Sequence, residues 1–210
     1  MAKRSTTETG EAPARRAAGR PPRAPDQPDT REQALNAAER LLETQGYVAA
    51  SMNDVARAVG ISKASLYHHF PTKEALFLGV AERMIRRDAA GMARAIGSAL
   101  GATGRLEALA RWMFSEGRHT ERMLRDATRF LAAEHAETIA QGFLQRLFAQ
   151  VEAVMRAGIE AGELGPHDPT FSAWAFMGLL AEFAENQARL NRPDLAGDLV
   201  RLVVGGIGPR

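Results

Sequence analysis

The sequence contains no cysteine. Disulfides and thiolate metal sites are therefore excluded, and a reducing cytoplasm is the expected compartment. Aromatic residues make up only 6% of the chain, with two Trp and two Tyr. β-branched runs are scarce too, so no stretch reads as a strand, and no internal repeat is visible. No apolar stretch reaches the roughly 18–20 residues that cross a bilayer. The N-terminus lacks the apolar core of a secretion signal, so no membrane partner is expected. Missing as well are HExxH, GxSxG and a Gly-rich phosphate loop, the arrangements that hold a catalytic zinc, expose a serine nucleophile or cradle a phosphate. Glu182 and Glu185, spaced i, i+3, read as a solvated helix edge. Neither an enzyme nor a cofactor is expected.

What is present is helix-forming. Ala, Leu, Arg and Glu dominate a chain of 210 residues that is 45% hydrophobic, a composition that suits a packed all-α core. The net charge is +2, unevenly spread. Residues 1–29 hold six of the 27 basic groups and four of the 25 acidic ones, which leaves 21 of each sign beyond them. A polyanion must therefore be met by a local patch or by the tail. The tail is rich in Ala, Pro, Thr and Gly, has no hydrophobic period, and reads as a disordered arm. Its "RRAAGRPPR" carries Arg15, Arg16, Arg20 and Arg23 without an intervening acid. Such an arm can lie in a DNA minor groove or merely keep the chain soluble.

From Thr30 the pattern becomes helical. Thr30 and Gln33 form a capping box, and Leu35, Ala38, Leu41 and Leu42 make an apolar stripe that Gly46 ends. Ser51 and Asp54 open a second helix, which Gly60 breaks. Ser62 caps a third helix that Pro71 ends, and Thr72 caps a fourth reaching about Ala95. Further helices are expected near 103–118, 120–136, 138–162, 169–190 and 194–204, with Asp168 and Asp194 as start signals.

The second and third helices around Gly60 form a helix-turn-helix, with Ala56 and Gly60 at the close crossing and Val55, Val59, Ile61, Leu66 and Phe70 as its core. Lys63 and Tyr67 then share one row of the third helix, Ser65 and His69 another, Ala64 and His68 a third. An ammonium, hydroxyls, imidazoles and a methyl suit a major groove, where donors meet phosphates and base edges and a methyl meets thymine. Lys73 stands at a helix N-terminus, which favours anions. His68 and His69 point about 100° apart on a helix, a poor geometry for one metal. No metal site is expected, and either histidine could instead pack against the first helix.

The segment "TREQALNAAERLLETQGYVAASMNDVARAVGISKASLYHHFPTKEAL" resembles the DNA-binding domain of TetR-family transcriptional regulators over residues 30 to about 76. The resemblance implies a homodimer of about nine helices. A helix-turn-helix DNA-binding domain (30–76) would follow the arm (1–29), and a helical effector-binding and dimerisation domain (77–210) would complete the chain. Carried over residue by residue, Tyr67 and Lys73 match phosphate-binding positions and Ser51 the phosphate-contacting cap. Lys63, Ala64, Ser65 and His68 match base-facing positions, His69 matches a backbone contact, and the capping Ser62 is counted with them. Ala64 stands where the family usually has Gly.

In the remainder, Ala175, Gly178 and Ala181 would admit a close partner helix, and Leu195, Leu199, Leu202 and Val203 form a stripe; these last two helices are the expected dimer contact. Candidate effector-pocket residues are Trp112, Met113, Phe130, Phe143, Leu147, Phe148, Met155, Trp174 and Met177, although such residues at helical spacing also build plain core. Arg118, His119, Arg125, Arg129, Glu134 and His135 are the polar candidates. Arg125 and Arg129 on one helix face would suit an acidic effector; an apolar or aromatic one is the default. The expected function is a repressor of a palindromic operator, released by a small molecule. The alternative is a DNA-binding activator or architectural protein without an effector.

Overall fold

The computed structural model describes residues 29–115 and 129–207, and the side chains of these except Ile207. Everything regular in it is helix: α1 (Thr30–Ala49), α2 (Met52–Val59), α3 (Lys63–His69), α4 (Lys73–Gly97), α5 (Gly101–Ser115), α6 (Ala133–Phe143), a π turn (Leu144–Phe148), α7 (Ala149–Glu160), α8 (Pro169–Glu185), α9 (Gln187–Leu190) and α10 (Leu195–Ile207). With α6, the π turn and α7 counted as one rod, the described residues hold nine helices, and none is long and apolar enough to cross a membrane.

Several helix ends follow side-chain chemistry read from the sequence. Ser51, Ser62 and Thr72 accept from the backbone N–H three residues on, at 3.2, 3.0 and 3.0 Å. Asp168 does the same for Phe171 at 2.6 Å, with Pro169 in the first turn. At the start of α1 the expectation fails by one residue. Asp29, not Thr30, is the cap; it accepts from Arg31 N at 3.4 Å while Thr30 is buried inside the first turn. Asp caps as well as Thr, so burial of Thr30 decides between neighbours. Gly46 ends the regular part of α1 with a φ of +75°, and one further turn continues to Ala49.

Three other expectations change. Of the helix expected over 120–136, residues 120–128 lie outside the described residues, 129–132 are not helical, and α6 begins at Ala133. Arg129 thus lies in a turn rather than on a helix face, and Phe130 stacks on Tyr47 of α1 with ring centroids 6.2 Å apart. Helix 169–190 is split because Asn186 leaves helical geometry, its side-chain amide donating to the Glu182 carbonyl at 3.0 Å and its carboxylate at 2.9 Å. An Asn that captures a backbone carbonyl competes with the helix ladder. The π turn has no counterpart in the expectation; beyond it, Gln150 Nε2 reaches the Ala89 carbonyl of α4 at 3.1 Å.

α5 packs against α4, α7, α8 and α10, and its buried Leu106, Leu109 and Ala110 are central to the bundle. Its Trp112 lies on α4 at Gly91, where a Cβ would stand 2.2 Å from the indole ring; only glycine permits that approach. α4 packs on this bundle and also on α1, so one helix belongs to both halves. Leu35, Phe77 and Val80 form the apolar part of the α1–α4 contact region. Beside them Glu39, almost wholly buried, accepts from Arg83 and, at 2.7 Å, from Arg87, and Arg83 donates also to Asn36 at 2.7 Å and Glu32 at 3.4 Å.

Candidate nucleic-acid interface

α2 and α3 are short, and each depends on its ends. Ser51 both accepts from Asp54 N and donates to Asp54 Oδ2 at 2.5 Å, while Arg57 holds the other carboxylate oxygen at 3.1 Å. The Ser51 proton is therefore engaged, and a phosphate contact from it requires the hydroxyl to turn away from Asp54. α2 stops at Gly60, left-handed at φ +75°, where Ile61 N–H donates to the Ala56 carbonyl at 3.0 Å. Glycine takes this conformation without the Cβ penalty, and the turn sets the angle to α3. Val55, Leu66 and Phe70 are buried, with Val59 and Ile61 packed at the margin. Five of the five expected core positions of the unit thus face inward.

Burying Leu66 and Phe70 leaves the opposite side of α3 to solvent. Ser62, Lys63, Ala64, Tyr67 and His68 are exposed, and Ser65 and His69 are half-buried. The Lys63 ammonium stands 5.7 Å from the Tyr67 ring centre, as two residues one turn apart should. The His68 and His69 rings meet edge-on at 5.7 Å. One surface therefore offers an ammonium, a phenol, hydroxyls, imidazoles and a methyl, without a carboxylate on α3.

Lys73 is placed differently. Its ammonium donates to the Val48 carbonyl at 3.2 Å and lies 4.5 Å from the Tyr47 ring centre. Burial pushes this ammonium below its ordinary pKa; burial, with Glu74 adding, pushes the Tyr47 phenol up. Lys73 thus ties the last turn of α1 to the first turn of α4. Sequence reading missed this tie and the Glu39 cluster. For Glu39 a signal existed, since it interrupts the apolar stripe between Ala38 and Leu42.

The pocket candidates divide. Leu147, Phe148, Met155 and Met177 are buried in the bundle, with Trp112, Met113 and Phe143 packed at its edge. Trp174 is 50% exposed on the outside of α8, tilted against Phe148 at 4.5 Å. Phe130 stands apart beside Tyr47. His135 approaches Glu74 at 3.5 Å from α6, and Glu134 is exposed. Arg15, Arg16, Arg20, Arg23, Arg118, His119 and Arg125 lie outside the described residues.

A capped α2, a left-handed glycine and a carboxylate-free exposed face on α3 define a helix-turn-helix protein with a helical bundle behind it. Residues 34–80 match the family model of bacterial regulatory proteins of the tetR family. The regulator EthR of Mycolicibacterium smegmatis is 41% identical over 71 residues, 33% of either chain. The activator FasR of the same organism is 37% identical over 68 residues, 32% of this chain and 31% of its own. The repressor AcnR of Corynebacterium efficiens is 38% identical over 68 residues, 32% and 34% of the two chains. The chain thus aligns with about a third of the length of these relatives. Among solved structures, a tetR-family regulatory protein from Rhodococcus RHA1 is similar over 88% of this chain and all of its own, at a TM-score of 0.71 and 21% identity. FadR of Bacillus subtilis in complex with stearoyl-CoA is similar over 84% and 98%, at 0.68 and 19%. Residues 34–80 thus carry the segment typical of tetR-family regulatory proteins, and the chain shares its fold with the Rhodococcus regulatory protein.

Proposed function

We propose that the chain is a homodimeric repressor that reads a palindromic operator with two copies of α3 and is released by a small-molecule effector. Residues 30–76 are its reader and 77–210 its effector and dimer domain. The observation that carries the reading is the exposed face of α3 on a buried Leu66–Phe70 ridge. Lys63, Ala64, Ser65 and His68 face base edges; Tyr67, His69, Ser51, Ser62 and Lys73 border the backbone. Arg15, Arg16, Arg20 and Arg23 reach the flanking minor groove.

A dimer is supported by an apolar outer face. Phe171 and Trp174 on α8 are 73% and 50% exposed, Leu202 on α10 is 60% exposed, and Ala175 and Gly178 lie open between the aromatic residues and Glu182. Leu199 and most of Val203 are consumed by the chain's own core, so Leu202 is the part of that stripe left for a partner. Apolar faces of this kind mark association surfaces. A similar structure, AibR, is described in complex with isovaleryl coenzyme A and operator DNA, and FadR with stearoyl-CoA; an effector of an acyl or aromatic kind would match the apolar side chains of the bundle here. The effector would enter between Leu147, Met155 and Met177, with Trp112, Met113 and Phe143 at the edge. By tilting α4 it would move the two readers off the roughly 34–36 Å that match successive half-sites.

Selection of fragmented genomic DNA on the purified protein, with a Lys63→Ala control, tests the reading. A palindromic motif beside few genes supports it, and loss of the motif's central preference in the control ties it to α3. No enrichment, or a monomer by analytical ultracentrifugation, would refute it. The match to FasR favours one second reading, an activator; the genes' response to deletion separates the two.

A further inference from the structure

The break before α6 opens a cleft of about 320 Å³ between the last turn of α1 and residues 129–130. Gln45, Gly46, Tyr47, Val48, Arg129 and Phe130 line it. It lies apart from the buried Leu147, Met155 and Met177 assigned above to the effector. Val48 is 67% exposed and Phe130 56% exposed, a large apolar surface for two adjoining side chains. The Tyr47 and Phe130 rings are inclined by only 16°. Arg129 meets no acid among the described residues, and the other polar wall is the uncharged Gln45 amide.

These walls select a ligand. An apolar cavity of about 150 Å³ accepts a benzene ring, so the cleft has room for roughly two fused rings and a small substituent. The near-parallel phenol and phenyl rings favour a planar ring system laid against them. A guanidinium that meets no acid among the described residues presents a planar fork matched to a carboxylate. We propose that this cleft is a second ligand site, which binds a small planar aromatic carboxylate with its rings on Tyr47, Val48 and Phe130 and its carboxylate on Arg129.

The site's position gives it leverage on the reader. Val48 supplies the carbonyl that Lys73 donates to, and Tyr47 supplies the ring beneath that ammonium. Ser51, the cap of α2, follows three residues after Val48. A ligand in the cleft therefore touches the residues that seat Lys73 and lead into α2. Its effect on operator binding rests on the regulator proposed above; its binding does not.

The test uses the full chain and 2-naphthoate, with neutral 2-naphthalenemethanol as the uncharged probe, titrated by calorimetry. Saturable naphthoate binding with a dissociation constant on the order of a millimolar or tighter is expected for so small a ligand. Arg129→Gln should weaken naphthoate about tenfold and leave the neutral probe unchanged, the loss of one charge-assisted contact. Phe130→Ala and Val48→Ser should weaken both probes. All three positions are exposed, and unchanged helical circular dichroism would establish that the variants fold. No saturation, or naphthoate affinity unchanged in Arg129→Gln, overturns the site. Affinity for a duplex, read separately by anisotropy, distinguishes this failure from failure of the DNA-binding reading.

Discussion

Glu39→Gln tests how firmly the reader is joined to the bundle. The substitution keeps the side chain's shape and one acceptor oxygen. It removes the charge shared by Arg83 and Arg87 and turns an amide N–H₂ toward guanidinium. Removing one partner of a buried ion pair costs about 3–5 kcal/mol, but that limit is too high here. Arg83 keeps Asn36 and Glu32, and the half-exposed side chain of Arg87, at 52%, can turn to water, so its share is at most about 1 kcal/mol. One charge-assisted hydrogen bond at a nearly buried site is the remaining loss, and the expected cost is about 2 kcal/mol. At this chain length that lowers Tm by roughly 4–8 °C. Thermal unfolding followed by circular dichroism reads it. Glu39→Leu should cost at least as much as Glu39→Gln, because it also removes the acceptor oxygen that glutamine keeps for Arg83. A Tm for Glu39→Gln within about 1 °C of wild type, against the shift expected for this size, would refute the polar tie and leave α1–α4 adhesion to Leu35, Phe77 and Val80.

Other outcomes follow from the same geometry. Tyr67→Phe should weaken binding to all duplexes alike without changing the salt slope, because a phenol neutralises no phosphate; Lys73→Ala should lower the slope by about one charge, and the reverse pattern in salt titrations would exchange their roles. Gly60→Ala forces a left-handed alanine into open space, at a cost of about 1–2 kcal/mol that urea unfolding should report; no loss would mean the turn relaxes. Asp198 accepts from Arg192 at 2.6 Å and Arg201 at 2.5 Å, and these two, Arg192 first, hold its carboxyl below the ordinary range. Its contribution is present above the unfolded carboxyl value near pH 4 and is lost as pH falls through the lower folded value. The Tm gap between wild type and Asp198→Asn should therefore be constant near neutrality and close in acid; a gap that widens on acidification would contradict that pairing.

Much of the reader was legible because its determinants are local. Ser51, Gly60, Ser62 and Thr72 act on backbone groups within four residues, so their spacing alone places α2, α3 and the start of α4. The two faces of α3 follow from the helical period. By itself, then, the sequence determined an all-α chain with a helix-turn-helix and the side chains that its third helix presents. Tertiary packing decided the rest. Whether Asp29 or Thr30 caps α1 depends on the burial of Thr30. The break at 129–132 brings Phe130 against Tyr47, some eighty residues earlier in the chain, and nothing in the surrounding helical composition marks it. Glu39 needs Arg83 and Arg87 from α4 before its buried charge makes sense. The same packing turned Leu199 inward and left Leu202 outside. Each of these outcomes rests on contacts between groups far apart in the chain, which spacing along one helix cannot encode.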